Sequence, residues 1–238
     1  MDEIVRGKLL ELIKGRNFES ENIHIVAKTL TPEEAIGNPE HDDYPLQKGK
    51  ERLIQAEFRG SLGQAFTDMF GNYQSSLSEI LSMDLNNNFR RAIFVSAINA
   101  VTRHLGIVDN TIHCKNEDPK ECAEKLVEYV KDTYGSPRIF LAGLQPRMLE
   151  ALSRVFEVRV TDLDEENIGQ KKFGVMVESP DKKEENMQWC DIALVTGTTL
   201  TNNTIGGFNG GKPVVFFGVT IAGPARLLGL NHFCPLGS

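Results

Sequence analysis

The sequence predicts an α/β protein with an α+β first half and a second half built around a parallel sheet. In the second half, short apolar strands alternate with helical segments, which is typical of parallel sheets covered by helices. The runs IALV and VVFF suit central strands that are buried on both faces. In the first half, LIQAEFRGSLGQAFTD has two strand-like arms around a glycine-containing turn, which favours a hairpin.

Apolar periodicity and breaker residues predict the other elements of the first half. An apolar face from Leu9 to Ile13 predicts an opening helix that closes near Gly15. IHIVAKTL alternates as a strand does, and residues 35–50 are rich in Gly, Pro, Asp and His, as loops are. A long helix is predicted over 88–105. Apart from its two arginines this helix is almost wholly apolar, so we expect it to be buried on several sides.

The second half opens with a predicted helix that Asp118 caps, with Pro119 at its first position and its end near Tyr134. Beyond Gly135, the alternation predicts five strands and one helix. The strands are RIFLAG, VRVTD, GVMVES, DIALVTG and KPVVFFG, and the helix is PRMLEALSRVF.

Composition limits the possible partners and compartment. The chain has 238 residues, of which 40% are hydrophobic, so it can bury a substantial core. Its net charge of −7 disfavours nucleic acid, whose phosphates need a basic surface. No apolar run approaches the roughly 18 residues of a membrane span, and the acidic amphipathic start does not resemble a signal peptide. We therefore expect a cytoplasmic protein with neither nucleic-acid nor membrane partners, in which the four cysteines are not disulfides.

Polar, glycine-rich segments follow the predicted parallel strands, at the edge where such sheets bind ligands. Glycine lets a ligand approach the backbone, and Thr and Asn supply short donors and acceptors. The candidate ligand-binding residues on this rim are Gly143, Gln145, Pro146, Asp162, Asp164, Asn167, Gly197, Thr198, Thr199, Asn202, Thr204 and Thr220. The alternative is that the polar members only cap helices and form turns.

The first half contributes further candidates. In GSLGQAFTD, Gly63, Gln64 and Thr67 are candidates to face the same cleft, although the segment would also serve as a plain turn between strands. Asn99 lies within the apolar stretch of the long helix and must find a hydrogen-bond partner. That partner is either nearby backbone or the ligand.

No GxGxxG follows the first parallel strand, which argues against NAD-dependent chemistry, although Asp162 could still meet a ribose hydroxyl. The sequence also lacks a Walker loop, HExxH, GxSxG and CxxC.

The stretch TIHCKNEDPKEC raises the question of a metal site. Cys114, Cys122 and Cys234 could supply three thiolates, with His113 or His232 as a further ligand. Sulfur ligands suit a soft transition metal or an iron–sulfur cluster. Their spacing matches no recognised zinc or ferredoxin pattern. The alternatives are buried core thiols beside a loop histidine, or a reactive thiol that faces a substrate.

Several segments together carry a resemblance to a known family. Among them are RRAIFVSAINAVTRHLG, LAGLQPRMLEAL, VTGTTLTNNTI and GVTIAGPARLLGLNHFCPLG. The chain resembles the bacterial and archaeal family of unknown function labelled "putative heavy-metal chelation". The resemblance implies a domain over 1–108 similar to the enolase N-terminal fold and a Rossmann-like domain over 109–238. It also implies a functional cleft between the two domains.

Two functions are therefore open. The first is metal or small-ligand binding in the interdomain cleft, which convergence of the three thiols would favour. The alternative is an enzyme that acts on an anionic or nucleotide-like small molecule in the same cleft, with Cys114 or Asp164 as the reactive group. A homodimer is the default expectation for such an α/β protein.

Overall fold

The computed structural model describes residues 1–18, 24–208 and 211–238. Its helices are α1 (Asp2–Ile13), α2 (Pro32–Ile36), α3 (Pro45–Lys48), α4 (Leu77–Ser82), α5 (Asn88–His104), α6 (Asp118–Tyr134), α7 (Pro146–Ser153), α8 (Lys183–Trp189), α9 (Thr198–Thr201) and α10 (Ala222–Leu228). Its strands are β1 (His24–Leu30), β2 (Arg52–Phe58), β3 (Ser61–Thr67), β4 (Tyr73–Ser76), β5 (Ile139–Ala142), β6 (Val158–Thr161), β7 (Lys171–Lys172), β8 (Val175–Glu178), β9 (Ile192–Thr196), β10 (Val214–Phe217) and β11 (His232–Phe233). In the described ranges, no helix has the length and apolar character needed to span a bilayer.

The first sheet is antiparallel, with strand order β3-β2-β1-β4. The predicted hairpin is its β2–β3 pair. Two residues join these strands, Arg59 at φ 49° and Gly60 at φ 80°. Positive φ at both positions matches the right-handed twist of the flanking strands and explains the glycine. The hairpin prediction is confirmed.

The second sheet has the order β11-β10-β9-β5-β6-β8-β7, and all neighbours are parallel except β7 and β8. Counted along the chain, its six parallel strands lie in the order 3-2-1-4-5-6, which is also the order of doubly wound nucleotide-binding sheets. The predicted fold class, α/β with a parallel sheet in the second half, is confirmed.

Helix α5 packs between the two sheets, which explains why it is apolar almost all round. In β5, Phe140 and Ala142 belong to the hydrophobic core around α5, whereas Ile139 and Leu141 belong to the core under α6 and α7. Successive side chains of a strand point to opposite faces, so a strand covered on both sides must be apolar throughout. The same division holds for β9.

Some local predictions differ from the structure. Several short elements were not predicted individually, and the predicted loop 35–50 contains α3. The elements not predicted are α2, β4, α4, β7, α8, α9, α10 and β11. Glu117, not Asp118, is the cap residue of α6. Asp118 instead accepts a hydrogen bond from the Lys115 backbone at 3.1 Å, so its carboxylate closes the preceding turn. Helix α7 ends at Ser153, before the end of the predicted PRMLEALSRVF helix.

Candidate functional site

Cys114, Cys122 and Cys234 come from three separate segments but lie within electrostatic reach of one another. They belong to the loop before α6, to α6 and to the segment after β11. Burial is the main cause that raises the pKa of Cys114, and the neighbouring thiols of Cys122 and Cys234 raise it further. Such mutual effects require short separations in a poorly solvated region. The fold therefore brings these three thiols into one neighbourhood.

The three thiols are protonated at neutral pH. Burial, and after it the neighbouring Cys234, raises the pKa of Cys122 to about 12. Burial also raises the pKa of Cys234 to about 11. Because a thiolate is both the nucleophile and the metal ligand, these groups become reactive only when something replaces or removes their protons. The fourth thiol, Cys190, is fully buried in the core around α5 and donates to the Met187 carbonyl at 3.6 Å.

His113 has a defined tautomer. Its Nδ1 lies 2.6 Å from the Cys114 carbonyl oxygen, which can only accept, so Nδ1 carries the proton. Burial lowers the pKa of His113 to about 4, so the ring is neutral at neutral pH. Its Nε2 is therefore an unprotonated donor of electron pairs. Metal-binding histidines commonly have this arrangement, in which the other ring nitrogen donates to a carbonyl.

This donor set fits a soft metal in its chemistry but is not preassembled around one. Three thiols and a neutral imidazole are ligands for Zn, Cu(I) or Cd. Over residues 1–18, 24–208 and 211–238, however, no three His, Cys, Asp or Glu side chains are placed to hold a metal ion. A metal held here would therefore need both the loss of thiol protons and a local approach of the ligands.

Asn99 ties α5 to both halves of the chain. Its side-chain nitrogen donates to the backbone oxygens of Gln64 at 2.8 Å, Val219 at 3.1 Å and Thr220 at 3.0 Å. Its Oδ1 accepts from the Gly223 backbone at 2.8 Å. Both N–H groups of the Asn99 amide thus donate to backbone carbonyls. This agrees with a structural role, which the sequence offered as the alternative to ligand binding. A ligand-binding role for Asn99 stays a prediction.

GSLGQAFTD packs tightly on α5. A Cβ at Gly63 would come within 2.2 Å of the Ala100 backbone nitrogen. Gln64 is 1% exposed, and its Oε1 accepts from the His113 backbone at 2.7 Å. The Thr67 hydroxyl donates to the backbone two residues later at 3.0 Å. Gln64 therefore links this segment directly to the loop that carries the thiol neighbourhood.

The sheet reverses its strand order between β5 and β9, and the loops after these strands touch. Gly143 has φ 97°, and a Cβ there would lie 2.5 Å from the Thr196 methyl carbon. A Cβ at Gly197 would be similarly crowded, by Ile221. Asp162 joins the neighbouring loop, because its Oδ2 accepts from the Leu144 backbone at 2.7 Å. Close packing of loops accounts for these two glycines without a ligand.

The remaining rim residues make mostly local contacts. Gln145 caps α7 by accepting from the Met148 backbone at 2.6 Å. The Thr199 hydroxyl donates to the Thr196 carbonyl at 2.8 Å. These remaining rim residues are Gln145, Pro146, Asp164, Asn167, Thr198, Thr199, Asn202 and Thr204.

The rim also packs directly on the first half of the chain. The Thr220 hydroxyl accepts from the Phe66 backbone at 3.0 Å, and Thr201 donates to the Phe66 carbonyl at 2.9 Å. Two cavities, of about 370 and 260 Å³, lie elsewhere. None of the predicted ligand-binding residues lines either one. A ligand chamber at the rim stays a prediction.

Three acidic residues, Asp68 of the first half and Asp162 and Asp164 of the rim, lie within electrostatic reach of the carboxyl group of Glu51, which also belongs to the first half. Burial raises the pKa of Glu51 to about 7, and the charges of Asp162, Asp68 and Asp164 raise it further. A carboxyl group in such surroundings is held neutral up to near-neutral pH because ionisation would add a fourth negative charge.

Glu51→Gln is expected to stabilise the protein above pH 7. Between the unfolded pKa of 4.5 and the folded pKa of about 7, the folded state binds the extra proton, so wild-type stability falls as pH rises. In the variant, the free energy of unfolding should no longer fall with pH in this way. At pH 8 it should exceed that of the wild type by at most about 3 kcal/mol. Urea unfolding at pH 5 and pH 8 measures the difference. An equal change in the free energy of unfolding between pH 5 and pH 8 in both proteins would contradict the raised pKa of Glu51. The control is Glu40→Gln, on an exposed loop.

Sequence reasoning missed a buried ion pair next to the thiol neighbourhood. Arg147, whose side chain is 5% exposed, bonds Asp43 at 2.7 Å and Glu150 at 2.6 Å. Tyr44 is buried beside them. Asp43 stands in a stretch that reads only as a polar loop, and 104 positions separate it from Arg147. No local pattern could have indicated this contact.

Comparison with known proteins supports the fold. A crystal structure of a protein of unknown function from the DUF364 family of Pyrococcus horikoshii aligns with TM-score 0.54 at 18% identity, covering 91% of this chain and 78% of that one. A DUF364 protein of unknown function from Desulfitobacterium hafniense aligns with TM-score 0.49 at 11% identity, covering 75% and 72%. No curated protein matches the chain.

The family model of DUF364, described as "Putative heavy-metal chelation", matches residues 126–208. This range includes α7, β9 and the loops at the reversal of strand order. It does not include Cys114, Cys122 or Cys234. The resemblance to the family described as "Putative heavy-metal chelation" is therefore confirmed, through residues 126–208 of this chain.

Proposed function

We propose that this protein binds a soft metal ion through Cys114, Cys122 and Cys234, with His113 as a further ligand. The observation that carries the proposal is the convergence of three thiols from distant segments, of which Cys122 is buried and Cys114 and Cys234 are half-buried. Cys122 and Cys234 raise the pKa of Cys114, and Cys234 raises that of Cys122. The description of the matching family as heavy-metal chelation is consistent with this chemistry. The metal is the cargo of the site rather than a resident cofactor.

The residues define how such a site would operate. The thiols release their protons as the metal binds, so affinity should rise with pH. His113 is already neutral, and its Nε2 needs no proton loss. Buried surroundings that disfavour thiolates without a cation favour them strongly with one, because the cation replaces the missing solvation.

Cys114→Ser is expected to weaken metal binding by at least about a hundredfold, since even residues that only support metal ligands contribute 10–100-fold. The protein is purified anaerobically and titrated with Cd²⁺ while the thiolate-to-metal absorption band is recorded. Elemental analysis gives the stoichiometry, and a visible spectrum after reconstitution with iron and sulfide distinguishes an iron–sulfur cluster. Titrations at pH 6.5 and 8 should show tighter binding at the higher pH.

The matched control is Cys190→Ala, which removes a buried thiol outside the proposed site and should leave the band unchanged. No stoichiometric Cd²⁺ band in the wild-type protein, or a band equally lost in Cys190→Ala and Cys114→Ser, would contradict the proposal.

A second function, an enzyme acting in the cleft between the halves, is favoured by the strand order of the parallel sheet. That order places β5 and β9 at the position where related sheets bind nucleotides. The carboxylates of Asp68, Asp162 and Asp164 at the rim disfavour an anionic ligand there unless a cation accompanies it. Metal binding is for this reason the better supported function.

Several finer statements accompany the proposal. They are the enolase N-terminal-like and Rossmann-like descriptions, the division at residue 108, a cytoplasmic location and a homodimer. Each stays a prediction.

A further inference from the structure

Residues 37–44, here called the strap, run across the loop that follows Cys114. The Asn38 backbone donates to Asn116 Oδ1 at 3.0 Å, and the Glu40 backbone donates to Glu117 Oε1 at 2.8 Å. These two bonds join the first half of the chain to the segment just before α6. The strap therefore lies directly on the loop that presents the first of the three thiols.

The end of the strap lies near the thiol of Cys114. Tyr44 is buried, and burial raises its pKa to about 12. The nearby Arg147 opposes this rise, while Asp43 and Cys114 add to it. Since such effects act over short distances, Tyr44 lies within electrostatic reach of both Arg147 and Cys114.

An ion pair between the buried Arg147 and Asp43, whose side chain is 34% exposed, holds this end of the strap. Asp43 Oδ2 accepts from Arg147 Nη2 at 2.7 Å, and the Arg147 guanidinium also stacks over Phe173 at 5.3 Å. Asp43 Oδ1 and Arg147 Nε are buried with no hydrogen-bond partner among the described residues. An incompletely bonded, partly buried ion pair adds little net stability, and Arg147 keeps Glu150 as a partner when Asp43 leaves. The Asp43–Arg147 ion pair can therefore separate in a single step when the strap moves.

The strap can separate without disturbing the main cores. Tyr44 belongs to a small hydrophobic cluster that is distinct from the two large ones. The members of this cluster are Leu30, Ala35, Ile36, Tyr44, Leu46 and Leu53. Segments with few buried contacts open locally at a lower free energy than the whole domain unfolds.

We propose that the strap is a lid over Cys114 and that the Asp43–Arg147 ion pair is its latch. Opening exposes the half-buried Cys114 further, and closing restricts the access of reagents to it. The role of the lid in admitting a metal rests on the proposed function, whereas the opening itself does not.

The test is the rate at which iodoacetamide alkylates Cys114 in the metal-free protein, followed by mass spectrometry of each cysteine. Asp43→Asn removes the charge of the latch with little change in shape, and we expect Cys114 to react about tenfold faster or more. The matched control is Asp42→Asn. Asp42 neighbours the latch but pairs only with Lys48 at the surface, at 3.1 Å, so its loss should not change the rate.

A second variant releases the other end of the strap. Gly37 has φ 68°, and a Cβ there would lie 2.3 Å from Asn116 Oδ1, so Gly37→Ala should also accelerate labelling of Cys114. Cys190 is the internal reference, because it lies in the core around α5 and reports unfolding of the whole protein. Acceleration at Cys114 with Cys190 unchanged supports the lid. Equal acceleration at both, or none at Cys114 in either variant, overturns it.

Metal binding is measured separately on the same variants by Cd²⁺ titration. Faster labelling without any Cd²⁺ binding would leave the lid intact and remove the proposed function. Cd²⁺ binding with unchanged labelling of Cys114 would remove the lid and leave the proposed function intact.

Discussion

Replacing Gly63 with alanine is expected to lower the free energy of unfolding by more than about 4 kcal/mol, a large part of the stability of a typical domain. The new methyl carbon would lie 2.2 Å from the Ala100 nitrogen and 2.4 Å from the Ser96 carbonyl oxygen. Both are backbone atoms of α5, which packs between the two sheets. Neither can move aside as a flexible side chain could, so helix and strand must separate.

Urea unfolding followed by circular dichroism measures this loss, and if the variant does not fold, its yield in the soluble fraction does. The control is Gly7→Ala in α1, where an added Cβ meets nothing within 4 Å. That change should be neutral or stabilise by up to about 1 kcal/mol, because alanine favours helices. A Gly63→Ala protein with the wild-type urea midpoint would show that β3 and α5 are not packed as described.

Asn99→Leu is expected to cost about 4 kcal/mol, although leucine has a similar size and suits a helix. The substitution removes the partner of the Gly223 N–H and of the carbonyls of Gln64 and Thr220. The Val219 carbonyl keeps a hydrogen bond from the Ala222 N–H. Each buried backbone group that loses its only partner costs about 1–3 kcal/mol. The effect should be large because Asn99 joins groups on β3, on residues 219–220 and on α10.

The urea midpoint should fall while the slope of the transition stays constant, which identifies a change in stability rather than in the unfolded state. Thr102→Val, one turn later on α5, is the control. Its hydroxyl donates only to the Ile98 and Asn99 carbonyls within the same helix, so the change should cost about 1 kcal/mol or less. A loss for Asn99→Leu no larger than that of the control would instead leave Asn99 available for a ligand role.

Local patterns predicted the regular elements well where they were long or buried. The α5 helix followed from a long, almost wholly apolar stretch, and the hairpin from two strand-like arms around a turn glycine. Strands β5, β9 and β10 followed from continuous apolar runs. The two-residue strands β7 and β11 escaped prediction because pairing with a distant neighbour, rather than composition, defines them.

The candidate site was predictable in its residue types but not in its contacts. The cysteines and His113 stand out in the sequence, yet nothing in their spacing indicates that Cys234 reaches Cys122. The rim residues were chosen because strand ends bind ligands in such sheets, and the structure gives most of them local partners. The strap was visible only as a polar loop.

The sequence alone determined the fold class, because backbone period, burial pattern and turn chemistry are properties of neighbouring residues. It also supplied the chemistry of the candidate ligands, since thiol and imidazole are soft donors wherever they lie. Only the tertiary structure decided which of these groups meet, since contacts such as Asp43 with Arg147 join residues 104 positions apart. Such a contact exists only after two sheets have packed on one helix, and no local pattern carries that information.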